Sequence, residues 1–284
     1  MAIGHVIPAA MHGHLSNLIF ADFIAGAGEI YSANGYDMLV SIVPDDAELQ
    51  AYRELVGRQA IDGAIVHGPR VDDSRIPLLA DLSLPFVVHG RSTNASVPYS
   101  WLDVNNRRAL ERATGYLVKL GHRRIALVNG EENLDFAIRR REGYIAALAD
   151  AGLVVDEALM TSGDMTEPQG FNAAQTMLKL PDPPTAFVCS SIVPTFGLRR
   201  ALETAGFRLG EDISIVCFDD DIGALPNGSP DAPTYTATRS SVRAAGRRCA
   251  EMLIERIAKP GQPHVQELWE AELLLGQSTA VLEK

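Results

Sequence analysis

The chain has 284 residues, 46% of them hydrophobic and 21% charged, with 24 glycines; this ordinary globular composition excludes disordered, fibrous and membrane classes. Nowhere do about eighteen consecutive apolar residues stand together, and the opening MAIGHVIPAAMHGH lacks a basic export region, so a cytoplasmic protein is expected. The net charge of −11 makes the chain on its own a poor DNA binder, since a surface that grips phosphates concentrates Lys and Arg, and it points to a small-molecule partner instead.

The length suits one large domain or two ordinary ones, with a core that needs no disulfide or metal to fold. Cys189, Cys217 and Cys249 are odd in number and lack C-x-x-C spacing, and two of them sit in apolar runs, so buried reduced thiols are expected.

Along the chain, IGHVIP, NLIFADFIAGAGEIYSANG, DMLVSIV, AELQAYRELVGRQ and IDGAIVHG alternate strand-like runs with helical periods, the pattern of parallel βαβ units. Gly35 fits a helix C-cap and Asp45 an N-cap. LPFVVHG, a turn-rich stretch, WLDV and a helix from about Asn105 to Leu120 follow. The cycle then restarts with RRIALVNG, helices from about Phe136 to Ala151, Glu167 to Leu180 and Val193 to Ala205, and the strands ALMTSG, TAFVCSS and ISIVCFDDD. The expected fold is α/β, with two similar doubly wound parallel-sheet subdomains.

Open parallel sheets bind ligands outside the carboxyl ends of their strands. The polar residues directly after strands are therefore candidates: His12, His14, His67, His89, Arg91, Glu131, Glu132, Ser190, Ser191 and Asp219 to Asp221. Such a rim suits a polyol. The histidines also admit a transition-metal reading, but no cysteine or carboxylate joins them with ligand spacing, and neither a metal nor a cofactor is expected. Neither G-x-S-x-G nor a Walker-type loop occurs, and GAGEIY lies inside a helix, so no enzyme is expected. The amphipathic SSVRAAGRRCAEMLIERI reads as a packed helix with solvated arginines and Ser240 as its possible N-cap.

DVNNRRALERATGYLVKLGHRRIALVNG, RRREGYIAALADAGL, ISIVCFDDD, TATRSSVRAAGRRCAEMLIERI and LLGQSTA stand in the order of the lac repressor (LacI) family's core signatures, and nearly the whole chain resembles that family's effector-binding core. The resemblance implies a periplasmic binding protein-like fold of type I, a sugar or sugar-derivative effector in a cleft between subdomains, and a homodimer. It also implies operator DNA read through a helix-turn-helix headpiece, which is expected to be absent here. The implied subdomains are residues 1–121 with 240–266, and 122–239 with 267–284. A stand-alone sugar-binding protein for transport or chemoreception is the alternative.

Arg140 matches the family arginine that forks onto ligand hydroxyls, against the reading of a solvated helix charge flanked by Arg139 and Arg141. Asp219 matches the family's ligand-binding aspartate, with Asp220 in reserve. Ser190 and Ser191 stand where Asn-Asp is common, Ser240 where Gln often follows the hinge arginine, here Arg239, and Asn105 where aspartate is frequent, so the family's usual contacts do not carry over intact. His14, Asn17 and Phe20 resemble the family's first ligand loop, with Phe20 either an apolar platform for a sugar or ordinary helix core. Arg91 either reaches the cleft or forms a surface salt bridge, and Trp101 either stacks on a pyranose or fills core.

Overall fold

Two six-stranded sheets organise the computed structural model, which describes residues 1–9 and 18–282. The first unit comprises Met1–Val104, Ile222–Ala224 and Ser241–Trp269; the second comprises Asn105–Asp221, Leu225–Ser240 and Glu270–Lys284.

In the first unit the strands are β1 (Ala2–Pro8), β2 (Asp37–Val43), β3 (Gly63–His67), β4 (Phe86–His89), β5 (Ser100–Val104) and, from the far end of the chain, β11 (Gln266–Trp269). They lie in the order β11-β5-β4-β3-β1-β2, and every pair is parallel. β1 and β3 are central and covered on both faces, which is why IGHVIP and GAIVH are buried without alternation. Helices α1 (Leu18–Ala33), α2 (Glu48–Gly57), α3 (Arg75–Asp81) and α8 (Val242–Ala258) complete the layers. α1 and α8 meet backbone to backbone: a Cβ on Gly26 would collide with the Arg243 carbonyl, and one on Gly246 with the Phe23 carbonyl. Phe23, Ala27, Tyr31, Ala245, Cys249 and Leu253 fill the seam.

The second unit repeats the plan with β6 (Ile125–Gly130), β7 (Met160–Gly163), β8 (Ala186–Cys189), β9 (Ser214–Asp219), β10 (Thr236–Arg239) and β12 (Glu272–Leu274), in the order β12-β10-β9-β8-β6-β7. Only the β12–β10 pair is antiparallel. Its helices are α4 (Asn106–Lys119), α5 (Asp135–Asp150), α6 (Glu167–Met177) and α7 (Ile192–Thr204). The LGH motif is scaffold. Gly121, at φ 99°, ends α4, and His122 turns inward to bond Thr185 Oγ1 at 2.9 Å and Ser214 Oγ at 3.0 Å, tying the starts of β8 and β9. In the closing GQSTA, Ser278 Oγ donates to Ile215 O at 2.6 Å and accepts from Thr236 N at 2.9 Å, stitching β9 and β10 to the tail.

Several boundaries differ from the sequence reading. The first crossing between units falls at Val104/Asn105, not after residue 121, because the buried face of α4, including Ala109, Ala113 and Leu117, belongs to the second unit's layer. The later crossings fall at Ser240/Ser241 and Trp269/Glu270, because β11 pairs with β5 before the chain leaves. The N-cap of α8 is Ser241, whose side chain accepts from Ala244 N at 3.3 Å, rather than Ser240. Ala47, not Asp45, holds the cap position of α2. Three of the four arginines of α8 are paired rather than simply solvated: Arg243 and Arg247 share Glu29, and Arg248 grips Glu267 at 2.8 Å. All three cysteines are buried and free.

Candidate functional site

In each sheet the parallel strands bring their carboxyl ends to one edge, and the strand order reverses beside the first strand, between β1 and β3 and between β6 and β8. These are the places where open α/β sheets present ligand-binding groups.

At the first unit's edge, His67 ends β3 and His89 ends β4. His67 Nε2 lies 2.9 Å from His5 Nδ1, and His5 Nε2 lies 3.2 Å from the Tyr31 hydroxyl. The rings pack closely: Phe20 and Phe23 meet His67 edge-on at 5.1 and 4.9 Å, and Phe23 lies 4.5 Å from His89. Burial holds the imidazoles neutral, pulling His5 down to about 3 and His89 to about 4, and driving His67 well below its ordinary value. Phe20 thus packs edge-on against His67. Arg91 donates from Nε to Asp103 at 2.9 Å and stacks over the half-buried Trp101 at 5.5 Å. The structure thus shows the salt-bridge alternative for Arg91, formed with Asp103 beside Trp101.

Behind this edge lies a buried ionic cluster. Arg75, at the start of α3, donates to Asp73 from Nε at 2.9 Å and from Nη2 at 2.6 Å, to Glu48 at 2.8 Å and to Gly68 O at 3.2 Å. The two carboxylates hold the guanidinium charged, and Arg75 holds Asp73 below the usual carboxylate range against the upward push of burial.

The second unit's edge is built around Arg140 on α5, which is only 6% exposed. Its guanidinium carbon stands 4.9 Å from the centre of the Phe136 ring and 4.0 Å from that of Phe218. Nε donates to Asn106 Oδ1 at 2.8 Å and Nη1 to the Ser190 carbonyl. Two aromatic faces and two fixed acceptors leave the planar fork little freedom. Its neighbours are paired too: Arg139, largely buried, bonds the buried Asp135 at 2.6 Å, and the more exposed Arg141 lies near Glu132.

Asp219 closes β9, 1% exposed, and its Oδ1 accepts from Asp221 N at 2.9 Å. Burial raises its pKa, opposed by Arg239, whose Nε stands 3.8 Å away. Arg239 is drawn more closely to Asp221. Asp220 accepts from Ser191 Oγ at 2.9 Å and is pushed up to about 6 by burial, with Arg140 opposing. Ser240 stands beside Asp219, its N–H donating to the Asp219 carbonyl at 3.0 Å.

The structure therefore groups Arg140 with Ser190, and Asp219 with Ser240, at one edge, and Phe20 with His67, and Arg91 with Trp101, at the other. His12, His14 and Asn17 lie outside the described residues. Sequence reasoning missed His5 and Asp103 in the first unit and Asn106, Asn129 and Gln169 in the second. His5 and Asn129 are polar residues inside otherwise apolar strand runs, the one signal that marked them. Among the described residues no group of three His, Cys, Asp or Glu is placed to hold a metal ion, and no helix is long and apolar enough to cross a membrane.

Two doubly wound sheets with polar, aromatic-backed edges define a periplasmic-binding-protein-like ligand-binding core. The family of periplasmic binding proteins and sugar binding domains of the LacI family matches residues 1–270. The chain is 41% identical over 278 residues to the HTH-type transcriptional regulator AglR of Rhizobium meliloti (strain 1021), covering 98% of this chain and 78% of that protein. A putative transcriptional regulator from Yersinia pestis biovar Microtus str. 91001 superposes with a TM-score of 0.87 at 28% identity, over 99% of both chains. The transcriptional regulator CelR in complex with cellobiose superposes at 0.83 with 26% identity, over 98% of this chain and 84% of that one. The chain belongs to the LacI family and carries the effector-binding domain of a transcription regulator of that family.

Proposed function

We propose that this chain senses a small polar effector of the sugar class, through the carboxyl-edge residues of its two units, and converts occupancy into a change in operator affinity. It works as a cytoplasmic homodimer, reaches DNA through a helix-turn-helix segment, and performs no catalysis. The effector acts by differential affinity for two conformations, since a ligand that binds both equally shifts nothing. The sugar class is supported by CelR, a relative captured with cellobiose.

The observation that carries this reading is the setting of Arg140, buried, within cation–π distance of two aromatic rings and bonded to Asn106 and the Ser190 carbonyl at a strand-end edge. A guanidinium oriented in this way is a preorganised fork for vicinal hydroxyls. His67, Phe20, Arg91 and Trp101 form the first unit's share of the proposed site, together with His14 and Asn17, and Ser190, Asp219 and Ser240 add to the second's.

A thermal-shift screen against mono- and disaccharides tests it. A ligand at about a hundred times its dissociation constant stabilises by roughly 2.7 kcal/mol, a rise of several degrees. The rise should vanish in Arg140→Ala and weaken in Arg140→Lys, which keeps the charge but not the fork. A rise unchanged in both variants would sink the assignment of Arg140. Sedimentation in the same buffer reads the dimer.

A further inference from the structure

At the second unit's edge the hydrogen-bond donors and acceptors are unevenly committed. Asn129 Nδ2 donates to Ala137 O at 2.9 Å and to Glu132 at 3.2 Å, and Gln169 Nε2 donates to Asn129 O at 2.9 Å. Carbonyl and carboxylate oxygens only accept, so neither amide can flip without setting oxygen against oxygen. Arg140 and Arg239 are likewise engaged, by Asn106, Ser190 O and Asp221. The acceptor halves are not. Asn129 Oδ1, Gln169 Oε1, Asp219 Oδ2 and Ser190 Oγ are buried with no hydrogen-bond partner among the described residues, in side chains belonging to β6, α6, the end of β9 and the turn after β8; the Arg239 charge stands 3.8 Å from Asp219 Oδ2, and the Ser190 hydroxyl can accept as well as donate. Asn129 and Ser190 are 0% exposed and Asp219 1%. The other buried side-chain atoms without a hydrogen-bond partner among the described residues are the hydroxyls of Tyr52, Thr114, Tyr235 and Thr238 and the His264 Nδ1, none of them an amide or carboxylate oxygen.

Buried acceptors without donors are rare in native proteins, and a group of them at a strand-end edge marks where a donor arrives from outside the chain. We propose that this edge selects an uncharged polyhydroxyl ligand, entering as a hydrogen-bond donor, and rejects its phosphorylated or carboxylated counterpart. A sugar hydroxyl can donate to each of these oxygens. A phosphate or carboxylate group brings only acceptors at neutral pH, so it has nothing to donate to these oxygens, and it faces Asp219 and Asp220. This inference rests on the effector reading above and adds the ligand's charge class to it.

The test pairs neutral sugars with charged ones on the purified chain by titration calorimetry: glucose with glucose 6-phosphate and glucuronate, galactose with galacturonate, then maltose and cellobiose. A neutral sugar should bind, and its anionic counterpart should bind weaker by on the order of tenfold or more. Ser190→Ala, which deletes a hydroxyl that no described group bonds, should leave the ligand-free melting temperature unchanged or higher while weakening the neutral sugar by about tenfold. An anionic sugar that binds as tightly as its neutral counterpart overturns the inference and leaves the effector reading intact. So does a Ser190→Ala chain that melts lower and binds neutral sugar as before. Silence from every sugar, neutral or charged, overturns both.

Discussion

In the first unit Arg75 touches two carboxylates and a carbonyl, Arg91 closes on Asp103, and His67, His5 and Tyr31 form a hydrogen-bonded line. In the second, built to the same strand order, Arg140 is as deeply held, yet Asn129, Gln169, Ser190 and Asp219 keep buried acceptors without partners among the described residues. One edge answers its polar groups largely with its own side chains, and the other holds some for a partner. A fully answered network rigidifies, and a partly answered one costs stability until something completes it. A fold repeated twice can thus divide the work of holding loops and of reading a ligand without changing its topology.

Acid should separate the two units most. The ordinary histidine value is 6.5, whereas His5 stands at about 3 and His89 at about 4, with His67 also depressed. A base with a lowered folded pKa leaves the unfolded chain binding more protons below 6.5, so its stability is present above that pH and is lost as pH falls toward the folded values. His5 alone accounts for on the order of 5 kcal/mol across that window. Urea midpoints should fall steeply between about pH 6.5 and about pH 4, and His5→Phe should flatten the fall. A parent chain with level midpoints across that range would break the comparison.

The next largest effect belongs to the ionic cluster. Arg75→Met strands Asp73 and Glu48, both buried, and should cost about 3–5 kcal/mol by chemical denaturation. Adding Glu48→Gln and Asp73→Asn should recover much of the loss, because the harm lies in unpaired buried charge rather than in a missing attraction. No recovery in the triple variant would mean that Arg75 acts mainly through Gly68 and the loop it anchors.

How far the sequence reached follows the same divide. Strands and helices were legible because a buried parallel strand writes an unbroken apolar run and a surface helix writes a period. The edges were legible because His67, His89, Asp219 and Arg239 sit at strand ends. What a residue meets across the sheet was not. Arg91 finds Asp103 through the β4–β5 register, and His5 finds His67 through the β1–β3 register, neither of which any local pattern encodes. The chain's crossing after Val104 was hidden for a related reason: amphipathicity says which face of α4 is buried, not which sheet it covers. Arg140 was found through the resemblance, but its Phe136 and Phe218 contacts come from one residue four places earlier and one on a distant strand.

Asp220 gives the smaller and opposite pH response. It is 7% exposed, bonded by Ser191 Oγ, and raised by burial from 3.8 to about 6. An acid with a raised folded pKa is fully tolerated below its unfolded value, loses stability as pH rises from about 4 to about 6, and stays at that deficit above. The deficit is on the order of 3 kcal/mol, since Arg140 and Ser191 do not offset the desolvation. Asp220→Asn should therefore be more stable than the parent at neutral pH by up to that amount, and equal to it near pH 4, where the parent carboxyl is already protonated. Because Ser191 still has an acceptor to bond, the substitution tests charge and not packing. A variant less stable than the parent at neutral pH would mean that Arg140 holds the carboxylate strongly enough to outweigh burial, and the second edge would then be an ion pair like Arg75 with Asp73 rather than its counterpart.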